Sequence, residues 1–179
     1  EIKMLNEKRE HTKSLPGVKI PESIVFSDNL EAVLADPDIV VLAVASPYTR
    51  STAHMMSPHV KEGQIIVNVG KGIEETTLET LCHVVEDEIP QAQVAVLSGP
   101  SHAEEVGRGI PTTCVVGTRK KANAEFIQNV FMSNVFRVYT SPDMLGICLG
   151  GSLKNVIALA AGMADGLGYG DNTKAALIP

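Results

Sequence analysis

Apolar and polar positions divide the chain into short runs separated by turn signals. Residues 1–14 are polar and helix-friendly, and Leu15-Pro16-Gly17 interrupts that pattern. Residues 23–27 form a short extended stretch, and Asp28 is placed to cap a helix over 29–35. The uninterrupted apolar run at 39–45 follows the turn Asp36-Pro37-Asp38. Such a run suits a strand buried on both faces, as in a parallel sheet. Further strands are predicted at 64–69, 93–97, 112–116 and 135–139. Helical segments are predicted between them at 48–60, at 76–88 with Thr76 or Thr77 near the cap, and at 120–132, with a helical turn at 102–107.

Strands alternating with helices imply an α/β layered domain with a mostly parallel sheet. After Thr140-Ser141-Pro142 the pattern changes: residues 144–164 contain one formal charge and no strand signal. The expected architecture is therefore a partial doubly wound, Rossmann-like sheet over residues 1–142, followed by the start of an all-helical domain over 143–179.

Residues 144–164 have the length of a membrane span. Against that reading, Lys154 and Asn155 sit near the middle, where a charge costs about 3 kcal/mol. The preferred expectation is a helix buried between protein layers and apolar all round. On such a helix the neighbours of Lys154 are Gly150, Gly151, Ile157 and Ala158, with Ile147 and Ala161 further along. A lysine held there is partly desolvated, which disfavours its charged form and suits it to exchange a proton as a general acid/base. Spacing alone leaves a second reading open, in which Lys154 snorkels to the surface at a helix bend.

Composition narrows the classes. Hydrophobic residues make up 44% of the 179 and charged residues 20%, the balance of a folded chain. A net charge of −6 and 4% aromatic content argue against a nucleic-acid surface. Cys82, Cys114 and Cys148 are odd in number and far apart, without a Cys-x-x-Cys pair. They imply neither a disulfide framework nor a metal site, and they suit a reducing, cytoplasmic setting. The start at Glu1 and the end at Leu177-Ile178-Pro179 suggest a piece of a longer polypeptide.

Four segments together carry a family resemblance. They are Leu15-Pro16-Gly17-Val18, Asn68-Val69-Gly70-Lys71-Gly72-Ile73-Glu74, Ser98-Gly99-Pro100-Ser101-His102-Ala103-Glu104-Glu105-Val106, and Leu153-Lys154-Asn155-Val156 followed by Asp165 to Ala176. In these segments the chain resembles the bacterial NAD(P)-dependent glycerol-3-phosphate dehydrogenases, over essentially its whole length. The run Asp165-Gly166-Leu167-Gly168-Tyr169-Gly170-Asp171-Asn172-Thr173-Lys174-Ala175-Ala176 is highly specific, whereas the Leu153-Lys154-Asn155 triplet alone is shared with related dehydrogenases.

The resemblance implies reversible reduction of dihydroxyacetone phosphate to sn-glycerol 3-phosphate with NAD or NADP, feeding phospholipid synthesis, with a homodimer as a possible assembly. It gives Lys154 the role of proton donor to the ketone oxygen. Lys71 would touch both cofactor and substrate, Gly99 and Ser101 would line the substrate site, Asn155 would orient the substrate, and Ala103 would lie near the cofactor. Elementary chemistry agrees, because hydride delivery to a carbonyl carbon leaves negative charge on oxygen, which an ammonium stabilises. The same residues also admit plainer readings. Lys71 can be an exposed loop lysine, Gly99-Pro100 a turn, and Ser101 a helix cap. The resemblance further implies a Gly-x-Gly-x-x-Gly loop upstream, and an aspartate, an arginine and an asparagine downstream, none of them in these residues. Ala45-Ser46-Pro47 and His102 depart from the family's usual residues.

Overall fold

The computed structural model of the chain describes residues 2–177, so the readings drawn from Glu1, Ile178 and Pro179 lie outside it. Five strands form one sheet in the order β1 (Val40–Leu42), β2 (Ile65–Asn68), β3 (Gln93–Ser98), β4 (Thr112–Thr118) and β5 (Phe136–Ser141). The pairs β1/β2, β2/β3 and β4/β5 are parallel, whereas β3 and β4 run antiparallel, with Ser98 opposite Val115. The mostly parallel sheet expected from the sequence is thus present, with one reversal. A parallel link needs a crossover, usually a full helix. Between β4 and β5 that helix is α6 (Lys121–Phe131). Between β3 and β4 there is only the five-residue α5 (Ala103–Gly107), so the chain turns back along the same edge.

The remaining helices are α1 (Ile2–Lys8), α2 (Leu30–Leu34), α3 (Thr49–Met56), α4 (Leu81–Glu88), α7 (Met144–Ser152), α8 (Lys154–Gly166) and α9 (Asp171–Leu177). Side chains alternate across each strand. One sheet face buries Leu42, Ile66, Val94 and Val96 against Ala53 and Met56 of α3 and Cys82 and Val85 of α4. The other buries Val67, Ala95, Leu97, Val116 and Val138 against Ala124 and Ile127 of α6. Burial of each such valine, leucine, isoleucine or methionine side chain contributes about 1.5–3 kcal/mol. This double cover explains why the segments of the inner strands β2 and β3 read as near-continuous apolar runs; at the sheet edges Val41 of β1 and Arg137 and Tyr139 of β5 are exposed.

Several boundaries differ from expectation. Asn29, not Asp28, caps α2: its side chain accepts from the amide of Ala32 at 3.0 Å. Residues 23–27 form no strand. The helix expected to begin at Thr76 or Thr77 begins at Leu81, capped by Thr80. Local polar chemistry takes over the intervening residues. The Thr77 hydroxyl donates to Glu74 at 2.6 Å, Leu78 takes φ 62°, and Ile73 bridges back to Thr80. Short polar side chains that bond nearby groups in this way favour turns over helix interiors.

The turn at 74–79 is anchored by Arg50 of α3. Its guanidinium donates through Nε and Nη2 to both carboxylate oxygens of Glu74, at 2.8 and 2.7 Å, and through Nη1 to Glu88 of α4 at 2.8 Å. His54 lies 2.9 Å from the second oxygen of Glu88. A two-point guanidinium–carboxylate pair fixes direction as well as distance. The Arg50 guanidinium, helped by the Thr77 hydroxyl, holds the Glu74 carboxyl at about 2 against an ordinary 4.5. The same guanidinium and His54 hold Glu88 below its ordinary value.

The largest departure concerns residues 144–164. They form not one buried helix but two, α7 and α8, bent by 43° at Leu153. A glycine pair followed by serine is a recognised cause of such kinks; here the Ser152 hydroxyl donates back to the carbonyl of Cys148 at 2.8 Å. Only α7 packs on the sheet, through Met144, Ile147 and Cys148. Its path crosses Gly117 of β4, where an added Cβ would stand 2.5 Å from Ile147 Cδ1. Helix α8 contacts α7 and α9 and buries only Ala164, leaving Val156 60% and Leu159 62% exposed. Among the described residues no single helix is long and apolar enough to cross a membrane; the bent α7/α8 pair meets that test by length and composition only.

Gly99, immediately after β3, has no room for a side chain: an added Cβ would stand 2.5 Å from the Thr113 carbonyl oxygen and 2.8 Å from Cys114 Cα. Both are backbone atoms and cannot rotate away. Gly99→Ala is therefore expected to destabilise the domain by about 1–3 kcal/mol, the usual cost of overpacking. Denaturant titration will show a lowered midpoint, and an unchanged midpoint contradicts the crowding. A second expectation follows from the Arg50 cluster. A depressed native carboxyl contributes stability above its unfolded value, and that contribution is lost as pH falls through the native one. The wild-type chain should lose part of its stability between pH 4.5 and about 2 through Glu74. Glu74→Gln should lose less over that interval when denaturation midpoints are measured against pH. Identical slopes for the two proteins count against the pairing.

Candidate active site

The strand ends of β2 and β3 and the start of β4 share one edge of the sheet, and the expected site residues other than Asn155 gather there. Ligands of open α/β sheets bind outside such carboxyl ends. After β2, the buried Asn68 shapes the exit. Its amide nitrogen donates to the Gly70 carbonyl and its carbonyl oxygen accepts from the Gly70 amide, each at 3.2 Å. Lys71 follows, and then Gly72 at φ +140°, a backbone state that L side chains rarely adopt. The Gly72 amide donates to the Ser152 hydroxyl at 3.1 Å, which ties this loop to the end of α7. Three residues beyond Lys71, Glu74 is held by Arg50. The Lys71 loop is thus fastened at Gly72 and again at Glu74.

Lys71 and Lys154 line one cleft of about 290 Å³, together with Ser98, Gly99, Gly150 and Gly151. No acidic side chain lines it. Two ammonium groups around an acid-free space suit a compact anion better than a neutral molecule. The Lys71 ammonium also donates to the Ser101 hydroxyl at 3.4 Å, and Ser101 donates to the Gly99 carbonyl at 3.3 Å. Ser101 in turn lines a second, apolar cavity of about 570 Å³, with Ala103 of α5, Val41, Val69 and Leu97. Lys71 therefore stands at the seam between a small cationic cleft and a larger apolar cavity.

Of the residues singled out in the sequence, Lys71, Gly99 and Lys154 come together in the cleft. Ser101 joins them through Lys71, and Ala103 faces the neighbouring cavity. Asn155 is not brought into the cleft: it is exposed, one position along α8. The desolvation expected of Lys154 is also absent, because Lys154 is exposed at the start of α8, and the described residues place no layer over that helix. The helical-face neighbours were right in part for a different reason. Ile147, Gly150, Gly151 and Lys154 do share a cleft, but across the bend between two helices rather than along one.

Sequence reasoning missed Arg50 and Ser152. Arg50 was signalled weakly, as the one formal charge of Thr49–Met56 with a histidine four residues on. The position of Ser152 beside a glycine pair was the corresponding hint of a break. Among the described residues, no group of three or more His, Cys, Asp or Glu is arranged to hold a metal ion.

The chain is similar to known proteins in sequence and fold. The family model described as the NAD-dependent glycerol-3-phosphate dehydrogenase N-terminus matches residues 1–124, and the corresponding C-terminus model matches residues 143–179. A glycerol-3-phosphate dehydrogenase [NAD(P)+] of Agathobacter rectalis is 68% identical over 99% of this chain, which covers 53% of that protein. Its counterpart in Fusobacterium nucleatum is 56% identical, again over 99% of this chain and 54% of its own length. The crystal structure of glycerol-3-phosphate dehydrogenase from Coxiella burnetii superposes with a TM-score of 0.86 at 30% identity, over 99% of this chain and 54% of that one. The chain spans about half the length of the curated relatives it matches. On the sheet-edge cleft, the two matched segments and these likenesses, the chain belongs to the NAD-dependent glycerol-3-phosphate dehydrogenase family.

Proposed function

We propose that the protein carrying this chain reversibly reduces dihydroxyacetone phosphate to sn-glycerol 3-phosphate with NAD(P)H. The observation that carries this reading is the pairing of Lys71 and Lys154 on one acid-free cleft at the strand-end edge. In this reading the strand-end residues through Ser141 and Pro142 complete a dinucleotide-binding domain, and residue 143 opens a helical substrate domain. Asp143 supports that boundary, since its carboxylate caps α7 by accepting from the Gly146 amide at 2.8 Å. The C-terminus family match also begins there.

The residues present fit the cofactor at its reactive end. The apolar cavity beside Val41, Val69 and Ala103 suits a flat ring, and Lys71 at its rim suits the adjoining anionic groups. When bound, the nicotinamide supplies or accepts the hydride. The chain's own groups do the rest. Lys154 donates a proton to the carbonyl oxygen during reduction and takes it back in the reverse direction. Lys71 neutralises charge on substrate and cofactor together. The backbone at Gly99 and the Ser101 hydroxyl offer polar contacts to the substrate. Asn155, one residue beyond Lys154, is assigned to orient the substrate by the resemblance alone, since it does not line the cleft.

The reading includes a cytoplasmic enzyme that supplies glycerol 3-phosphate to glycerophospholipid synthesis, with a homodimer as its assembly and without a membrane or nucleic-acid partner. The three free cysteines and the net charge of −6 support that setting.

In the full-length protein, Lys154→Ala and Lys154→Met should each lower kcat by about 10²–10⁴-fold, the usual worth of a positioned general acid, with cofactor affinity nearly unchanged. The methionine variant keeps most of the side-chain volume, so equal losses assign the effect to charge. Ordinary turnover in either variant rejects the assignment. Lys71→Ala should raise KM for the phosphate substrate roughly 10- to 100-fold, as expected from losing a charged hydrogen bond. Turnover of a small hydroxy acid but not of glycerol 3-phosphate by the wild-type enzyme rejects the substrate class.

A further inference from the structure

Away from the strand-end cleft, two thiols face each other across the packing of α4 and α7. Cys82 lies in the first turn of α4 and Cys148 in the middle of α7, 66 residues apart in sequence, with their sulfur atoms 3.5 Å apart. Both line a second cleft of about 290 Å³, together with Thr80, His83, Arg119 and Asp143. Cys82 is 1% exposed, whereas Cys148 is half-buried and is the one a small oxidant can reach. The third thiol, Cys114, is buried on β4 in the cluster on the opposite sheet face.

We propose that Cys82 and Cys148 form a reversible intramolecular disulfide when the protein meets a peroxide, and that this bond staples α4 to α7. A disulfide has a sulfur–sulfur distance of about 2.05 Å. Closing the gap takes about 1.5 Å of approach, within the reach of side-chain rotation or a small slide of α7. The chemistry divides between the two groups. The hydrogen-bond contact between the two sulfurs, with the Thr80 hydroxyl, holds Cys148 below the ordinary thiol value. The same contact and burial push Cys82 up, against the Asn68 amide that donates to its sulfur. The Glu86 carboxylate opposes ionisation of both. Cys148 is therefore the nucleophile, since the thiolate is the reactive form.

The Cys148 thiolate attacks one peroxide oxygen. The O–O bond breaks and leaves a sulfenic acid and hydroxide. The Cys82 sulfur then attacks the sulfenic sulfur, the S–O bond breaks, and the Cys82 proton leaves with the hydroxyl as water. The hydroxide takes up the proton that Cys148 released on ionising, so two thiols lose two electrons and one hydrogen peroxide is reduced to two waters. A dithiol reverses the bond by exchange. The consequence for the active site rests on the function proposed above. Helix α7 carries Gly151 and Ser152 to the Lys71 loop, so drawing α7 toward α4 displaces one wall of the cleft.

The test is to expose the protein to hydrogen peroxide, block the remaining thiols by alkylation, and read intact mass and peptide map. The expected result is loss of two hydrogens, a linked Cys82–Cys148 peptide, and loss of the Cys82 and Cys148 free thiols while Cys114 keeps its own. Dithiothreitol should reverse all three changes. Cys148→Ala should abolish the link and leave Cys82 and Cys114 as thiols. Unchanged thiols, isolated sulfinic acids, or a cross-link between molecules overturns the proposal. In the full-length enzyme the same treatment should lower turnover reversibly, and full turnover in the cross-linked enzyme overturns the coupling to the cleft. Mass and mapping require no dehydrogenase activity, so failure of the cross-link and failure of the proposed reaction are told apart.

Discussion

Close backbone approach at the strand-end edge is the constraint on which the rest of this structure depends. Gly99 lets the end of β3 meet the start of β4 with almost no space between them, and Gly117 lets α7 lie down on the same two strands. If either contact were held apart by side chains, α7 would ride higher. Gly150, Gly151 and Ser152 would then leave the vicinity of Lys71. The cleft is not carved out of a preformed core. It exists because a helix from one segment and three strand ends from another are allowed to touch.

The second determinant is the fastening of the Lys71 loop. Glu74 hangs on Arg50, and Gly72 hangs on Ser152 through its amide. The first tether is ionic and directional; the second is a neutral hydrogen bond reaching across 80 residues of sequence. A lysine side chain has several rotatable bonds, and holding its backbone from two directions reduces the freedom lost when it engages a ligand. Structure near Lys71 thus serves orientation more than it serves stability.

Much of this was legible in the residues. The inner strands β2 and β3 follow from apolar runs between turn signals, because double-sided burial leaves little polar alternation to blur them, whereas β5, at an edge, alternates buried and exposed positions. The positions of Lys71, Gly99 and Lys154 follow from motifs whose glycines mark tight backbone. Less legible were features decided by competition between local hydrogen bonds. Thr77 and Glu74 capture residues that otherwise read as the start of α4. Asn29 outcompetes Asp28 for the cap of α2, a difference of one residue that composition does not resolve. The reversal of β4 depends on how short α5 is. Arg50 was hidden because an ion pair 24 residues away leaves no periodic trace. The exposure of Lys154 was hidden for another reason: a uniformly apolar helix announces that it will be covered, but not by which part of a polypeptide.

The break at Leu153 has a consequence of its own. Because α7 ends at Ser152, Lys154 is not a mid-helix residue but the first residue of a thirteen-residue helix. The amides of a helix's first turn carry partial positive charge, and the aligned peptide dipoles add to it. The carbonyl end of α7, one residue away and inclined by only 43°, carries the opposite partial charge and offsets most of it. The kink therefore leaves the Lys154 ammonium itself as the charge that borders the cleft, on a residue that joins two helix ends rather than lying inside one helix.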